Sequence, residues 1–238
     1  MAMPILAPAQ IAQLSGLVAQ YISNQRKSYS PRATCLSPQQ KTALGGFFED
    51  KLLDEVRLLV LVGERVANPA FYSILTVMGF NNLPDQSRMD AITFSDTVVS
   101  HVPFTEGLLF HEMVHVEQYR QLGIERFADL YVRGFLSGNG YDGIPLERNA
   151  YQLGAQYERD RAITFPVAQV VNAWIANNAS SLAGNDANLA RRKDYVRFVG
   201  NPSVTRPNDQ RRVRCGLPVT RKLPQLPTKP ISHRIRDQ

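Results

Sequence analysis

Apolar positions recur along the chain at two periods, and the switches between them mark out its elements. From Pro8 to Arg26, Ile11, Leu14, Leu17, Val18 and Tyr21 recur at helical spacing and predict an amphipathic helix. A second helix start is written in Ser37, Pro38 and Gln40, an N-cap, a first-position proline and the far end of a capping box. Val56 to Val62 is a continuous β-rich run closed by Gly63, which predicts a buried strand. Pro69 to Met78 predicts another helix, and Asn81 to Asp85 has turn chemistry. Ala91 to Val99 predicts a second strand, bent around Ser95 and Asp96. Helices are then expected from Pro103 to Gln121, with Thr105 as N-cap and Gly123 as stop, and from Ile124 to Leu136. Two more follow, one opened by Pro145 and running to about Arg161, the other from Val167 to Asn178.

The pattern fades from about Ser180. After Gly200 the chain carries six prolines and frequent arginines with little periodicity, the composition of an extended or disordered segment. Three regions are therefore expected. Residues 1–82 form an N-terminal helical region with one strand, packed on a core at 83–180, and 181–238 form a basic Pro/Arg-rich extension. The fold class this implies is α+β, mostly helical, with a small sheet beside the Pro103 helix.

Charge sharpens that division. The 238 residues carry a net charge of +6, but residues 191–238 alone carry +10, leaving −4 on the rest. Basicity is thus a property of the extension, whose arginine blocks suit an anionic partner such as nucleic acid. No apolar run approaches the roughly 20 residues that span a bilayer. The N-terminal residues lack a basic segment followed by a long apolar one, so a cytoplasmic location is expected, with export by a signal-independent route left open. Cys35 and Cys215 form no CxxC pair, which removes zinc-ribbon and thioredoxin-type chemistry.

The candidate chemistry lies in His111-Glu112-Met113-Val114-His115. Residues four apart share a helix face, so His111 and His115 can reach one ion, and zinc accepts neutral imidazole. Glu112 is then placed to act as general base on metal-activated water. Leu108, Leu109, Phe110, Met113, Val114 and Val116 make the helix apolar almost all round, so it must be buried, and its polar groups need partners. A third ligand has to come from elsewhere. Positions 118 and 121 are both Gln, which excludes the metzincin continuation, and His101 and His233 are poorly placed. Glu147, in the first turn of the Pro145 helix, is the leading candidate, with Ala150 and Gly154 as small surfaces for close approach to the His111 helix. A plain N-terminal acid is its alternative role. Glu158, Asp160 and Asp142 are the fallback ligands.

HExxH with a downstream helical glutamate resembles the gluzincin clan of zinc peptidases. The segments LLFHEMVHVEQYRQLG and GYDGIPLERNAY further resemble the metallopeptidase domains of bacteria associated with extracellular contractile injection systems, over roughly Leu83 to Tyr157. The resemblance implies a zincin-like fold and a Zn2+ peptidase acting on peptide or protein substrates. By the gluzincin analogy, Ile92 to Val99 is the strand edge that would pair with substrate. Tyr141, Tyr151 and Arg148 are candidate donors to an oxyanion, and Glu117 and Asp142 are candidates to orient the imidazoles. Two alternatives remain beside the peptidase. One is a catalytically silent zincin scaffold kept for binding; the other is a protease brought to nucleic acid by its basic extension.

Overall fold

In the computed structural model, residues 4–137 and 140–178 are described. Helix α1 (Pro8–Tyr29) leads through a short turn to strand β1 (Thr34–Cys35). Helices α2 (Pro38–Leu44) and α3 (Asp50–Glu55) and strand β2 (Arg57–Val60) follow. Helix α4 (Tyr72–Val77) precedes the hairpin of β3 (Ala91–Phe94) and β4 (Thr97–Ser100). The long α5 (Glu106–Leu136) and α6 (Pro145–Arg159) come next, and a last helix, α7, covers residues 167–178. The architecture is α+β, mostly helical, with one small mixed sheet in the order β1-β2-β4-β3.

The local signals explain most of these boundaries. The Ser37 hydroxyl accepts the Gln40 backbone N–H while the Gln40 side chain accepts the Ser37 N–H, completing the reciprocal cap of α2. Thr105 caps α5 by accepting the Leu108 N–H at 3.2 Å. Gly123 interrupts α5 with φ 72° and ψ 167°, a left-handed position that a side chain would resist, so the two expected helices meet there at a break.

Three expectations are corrected. The segment from Ala91 to Val99 is not one bent strand: Ser95, at φ 64°, and Asp96 form a tight turn, and the Asp96 carboxylate is held by Arg26 of α1. The run from Val56 to Val62 shortens to β2, in which Leu58 is buried and Val60 40% exposed, and Val62, beyond its end, is 90% exposed. Gly154 is not a packing surface, since a side chain there would meet nothing within 4 Å. The close approach lies instead at Gly134, where an added Cβ would stand 2.4 Å from Pro145 Cδ and 3.2 Å from Ile144 Cα. That contact seats the start of α6 against the second half of α5.

Strand β4 is buried at all four positions, and its neighbouring residues point to opposite faces of the sheet. Val99 joins Phe94, Tyr119, Phe127 and residues of α1 in one apolar cluster. Val98 joins Leu58, Phe110, Met113, Leu153 and Tyr157 in the other. Residues on both sides of position 82 thus share one sheet and both clusters. The first half of α5 borders both, and its buried side chains divide between them. Phe110 stacks on Tyr157 of α6 with ring centroids 4.1 Å apart, locking α6 alongside α5. No helix among the described residues is long and apolar enough to cross a membrane. The basic extension, Cys215 and His233 lie outside the described residues.

Candidate metal centre

The packing of α6 on α5 brings Glu147 over the two histidines one turn apart. His111 Nε2 and His115 Nε2 are 3.2 Å apart, and Glu147 Oε2 lies 3.6 Å and 3.3 Å from them. Three ligand atoms around a tetrahedral ion at about 2.0–2.1 Å stand roughly 3.3–3.4 Å from one another, so the donors are already spaced for one small cation. His115 is 5% exposed and Glu147 6%, and Glu147 Oε2 is buried without a hydrogen-bond partner. An orphaned buried carboxylate oxygen facing two imidazole nitrogens fits a divalent cation by geometry and by charge. Among the described residues no other His/Cys/Asp/Glu group has such a geometry.

The electrostatics follow from the same contact. Burial opposes a charge on His115, but the Glu147 carboxylate outweighs it, and the imidazole is pushed up to about 9. Burial likewise opposes a charge on Glu147, and the two imidazoles overcome it, holding the carboxyl well below its usual range. Without a cation, therefore, a proton bridges part of the charge that a metal would neutralise.

The tautomer of His115 is set by Gln118, a residue that sequence reasoning used only to exclude a metzincin. Gln118 is fully buried, and its amide nitrogen donates to the Leu146 carbonyl at 3.1 Å and to Asn149 Oδ1 at 3.0 Å. Those two acceptors orient the amide, so its oxygen faces His115 Nδ1 at 2.9 Å and accepts the proton carried there. In the neutral imidazole the Nε2 lone pair is then the one that points at the cluster. One side chain thus orients the His115 imidazole on α5 and ties it to the first turn of α6, which carries Glu147.

Glu112 is not part of the three-atom cluster. It is 5% exposed, and its Oε2 accepts the Thr93 hydroxyl of β3 at 2.7 Å. The hairpin thereby holds the carboxylate in place. Tyr141 borders the cluster half-buried, and burial, followed by the Glu147 charge, pushes its hydroxyl far above the usual range. Tyr151 is 58% exposed, with its ring centroid 4.5 Å from that of His111.

Other candidates are placed elsewhere. Glu117 is buried against Arg120, with both contacts at 2.8 Å, and also meets Gln121, so it orients no imidazole. Asp142 and Arg148 are exposed and stand outside the cluster. Asp160 accepts the Ala162 N–H at the end of α6, while Glu158 lies over Gly107. His101 bonds the Val66 N–H and the Met89 carbonyl, which makes it a loop latch. Of the proposed substrate edge, only β3 has a free side; β4 is paired on both.

Two cavities meet at the cluster. An outer cleft of about 740 Å³ runs past Arg88, Ala91, Leu108, Tyr151 and Gly154, and a smaller pocket of about 100 Å³ reaches inward between α1, β3 and α5. His111, Glu112 and Tyr141 line both. No protein-family model matches the chain, and neither a curated protein nor a solved structure matches it either.

Proposed function

We propose that the chain is a zinc-dependent peptidase of gluzincin-like, zincin-type organisation, with His111, His115 and Glu147 as ligands and Glu112 as general base. The observation that carries this reading is the position of Glu112: a buried carboxylate beside the donor cluster, oriented by Thr93 and lining the open cleft, yet not itself one of the donors. A purely structural metal site has no use for such a group.

A zinc ion held by the three donors would polarise a carbonyl and lower the pKa of a water in its open position. The chain's own residues would do the remainder. Glu112 accepts the proton of the attacking water and returns it to the departing amine. Thr93 keeps its carboxylate from rotating away. Tyr141, which lines both cavities, would donate to the developing oxyanion. The free side of β3 next to the cleft supports an extended peptide as substrate. Tyr151, exposed on the cleft wall, would contact that peptide rather than the reacting atoms.

The test is Glu112→Gln. The variant should bind one zinc per chain, as read by elemental analysis, and lose peptide hydrolysis by several orders of magnitude. Full hydrolytic activity in that variant would remove the mechanism.

A further inference from the structure

The inner pocket has a composition that the hydrolytic chemistry does not require. Val18, Ile22, Phe71, Ile92, Phe94 and Phe127 form its apolar walls, and the cluster residues close its mouth. All of its lining charges belong to the site itself, His111, Glu112, His115 and Glu147, of which His111 and Glu112 also line the cleft. No lysine or arginine lines it. Deeper in, Tyr119, 5% exposed, and Tyr131 line the pocket, and neither hydroxyl has a hydrogen-bond partner among the described residues. Burial, with the Glu147 carboxylate next, pushes both well above the usual phenol range, so they remain neutral donors.

Size and position decide the occupant. A closed cavity of about 150 Å³ holds one benzene ring, so a pocket of about 100 Å³ that opens to the cleft at one end has room for no more than one side chain. Met89, Ala91 and Tyr141 line both the pocket and the outer cleft, so the pocket opens beside the reacting groups from the cleft in which a peptide would lie. An acidic side chain inside would be desolvated with no lysine or arginine to pair with, and the apolar walls offer a basic one no counter-ion beyond the site's own carboxylates. A ring would bury its faces against the apolar wall and offer any polar tip to the unpartnered hydroxyls.

We propose that this pocket is the specificity pocket of the site, taking one large uncharged side chain, aromatic by preference, from a residue flanking the bond to be cleaved. The proposal rests on the peptidase reading, and the test separates the two. The zinc-loaded full chain is titrated calorimetrically with acetohydroxamate, with a hydroxamate carrying a phenethyl group, and with one carrying a carboxyethyl group. The phenethyl compound should bind at least about tenfold more tightly than acetohydroxamate, the gain expected from burying a phenyl ring. The carboxyethyl compound should gain nothing. Val18→Phe, which fills the pocket from α1, should erase the phenethyl gain and leave acetohydroxamate affinity unchanged, the latter also reporting that the variant is folded. Val18→Ala should retain the gain. If acetohydroxamate binds but the phenethyl group adds no affinity, or its gain survives Val18→Phe, the pocket proposal falls and the peptidase reading stands. If no hydroxamate binds the zinc-loaded protein, the peptidase reading falls and takes the pocket with it.

Discussion

Replacing Gln118 tests how the centre is built. In Gln118→Leu the side chain keeps about the same volume, but three contacts vanish: the oxygen facing His115 Nδ1 and the two donations to Leu146 and Asn149. His115 and Asn149 are both buried, so no water replaces what they lose. Stranded buried polar groups cost about 1–3 kcal/mol each, and some relaxation is available to Asn149, so a loss of about 2–4 kcal/mol in folding stability is expected. Zinc affinity should fall by about 10–100-fold, because the imidazole is no longer held in the tautomer that presents Nε2. Gln118→Glu separates the two effects. It keeps an acceptor for His115 and loses both donations to α6, so stability should fall while most of the zinc affinity survives. Urea denaturation of the metal-free proteins gives the first quantity and competition with a fluorescent zinc chelator the second. Zinc binding by Gln118→Leu as tight as wild type, or equal losses in both variants, would refute the claim that this amide sets the ligand.

Thr93→Val removes one hydroxyl that donates to the Glu112 carboxylate, a charge-assisted bond worth about 1.5–3 kcal/mol, so kcat should drop about 10–100-fold with zinc content unchanged in elemental analysis. For the metal-free protein, the raised folded value of His115 means that the folded state holds its proton more tightly than the unfolded chain. That contribution is complete below 6.5 and is lost as pH rises through about 9, so the urea midpoint in chelator should decline across this window. Glu147, depressed from 4.5, contributes above that value and loses its contribution as pH falls through its folded pKa. A flat midpoint from pH 6 to pH 10 would contradict the pairing of His115 with Glu147. Gly134→Ala drives a methyl into Pro145 and Ile144, which should cost about 1–3 kcal/mol in a urea melt and weaken zinc binding by displacing the first turn of α6.

Local chemistry determined much of this protein in one dimension. Helix caps at Ser37 and Thr105, the break at Gly123 and the pairing of His111 with His115 across one turn all depend on residues within four positions of one another. Their physical causes are complete in a short segment, so they can be read from it. Glu147 was the leading third donor for a related reason: a helix with Pro145 at its first position and an acid in its first turn fits a return onto the His111 helix.

What remained needed the chain folded back on itself. Gln118 has no local signal for its role, because its partners lie 28 and 31 residues away on α6. Thr93 reads as an ordinary strand residue until β3 is laid beside α5, and only the sheet order leaves one side of β3 free. Gly154 and Gly134 look alike in sequence, yet one faces an open cleft and the other a proline ring. The inner pocket draws its walls from α1, from β3 and from the second half of α5. Periodicity shows which face of each helix is apolar, but a cavity is set by how three such faces fail to fill the space between them, and that is decided only by their packing.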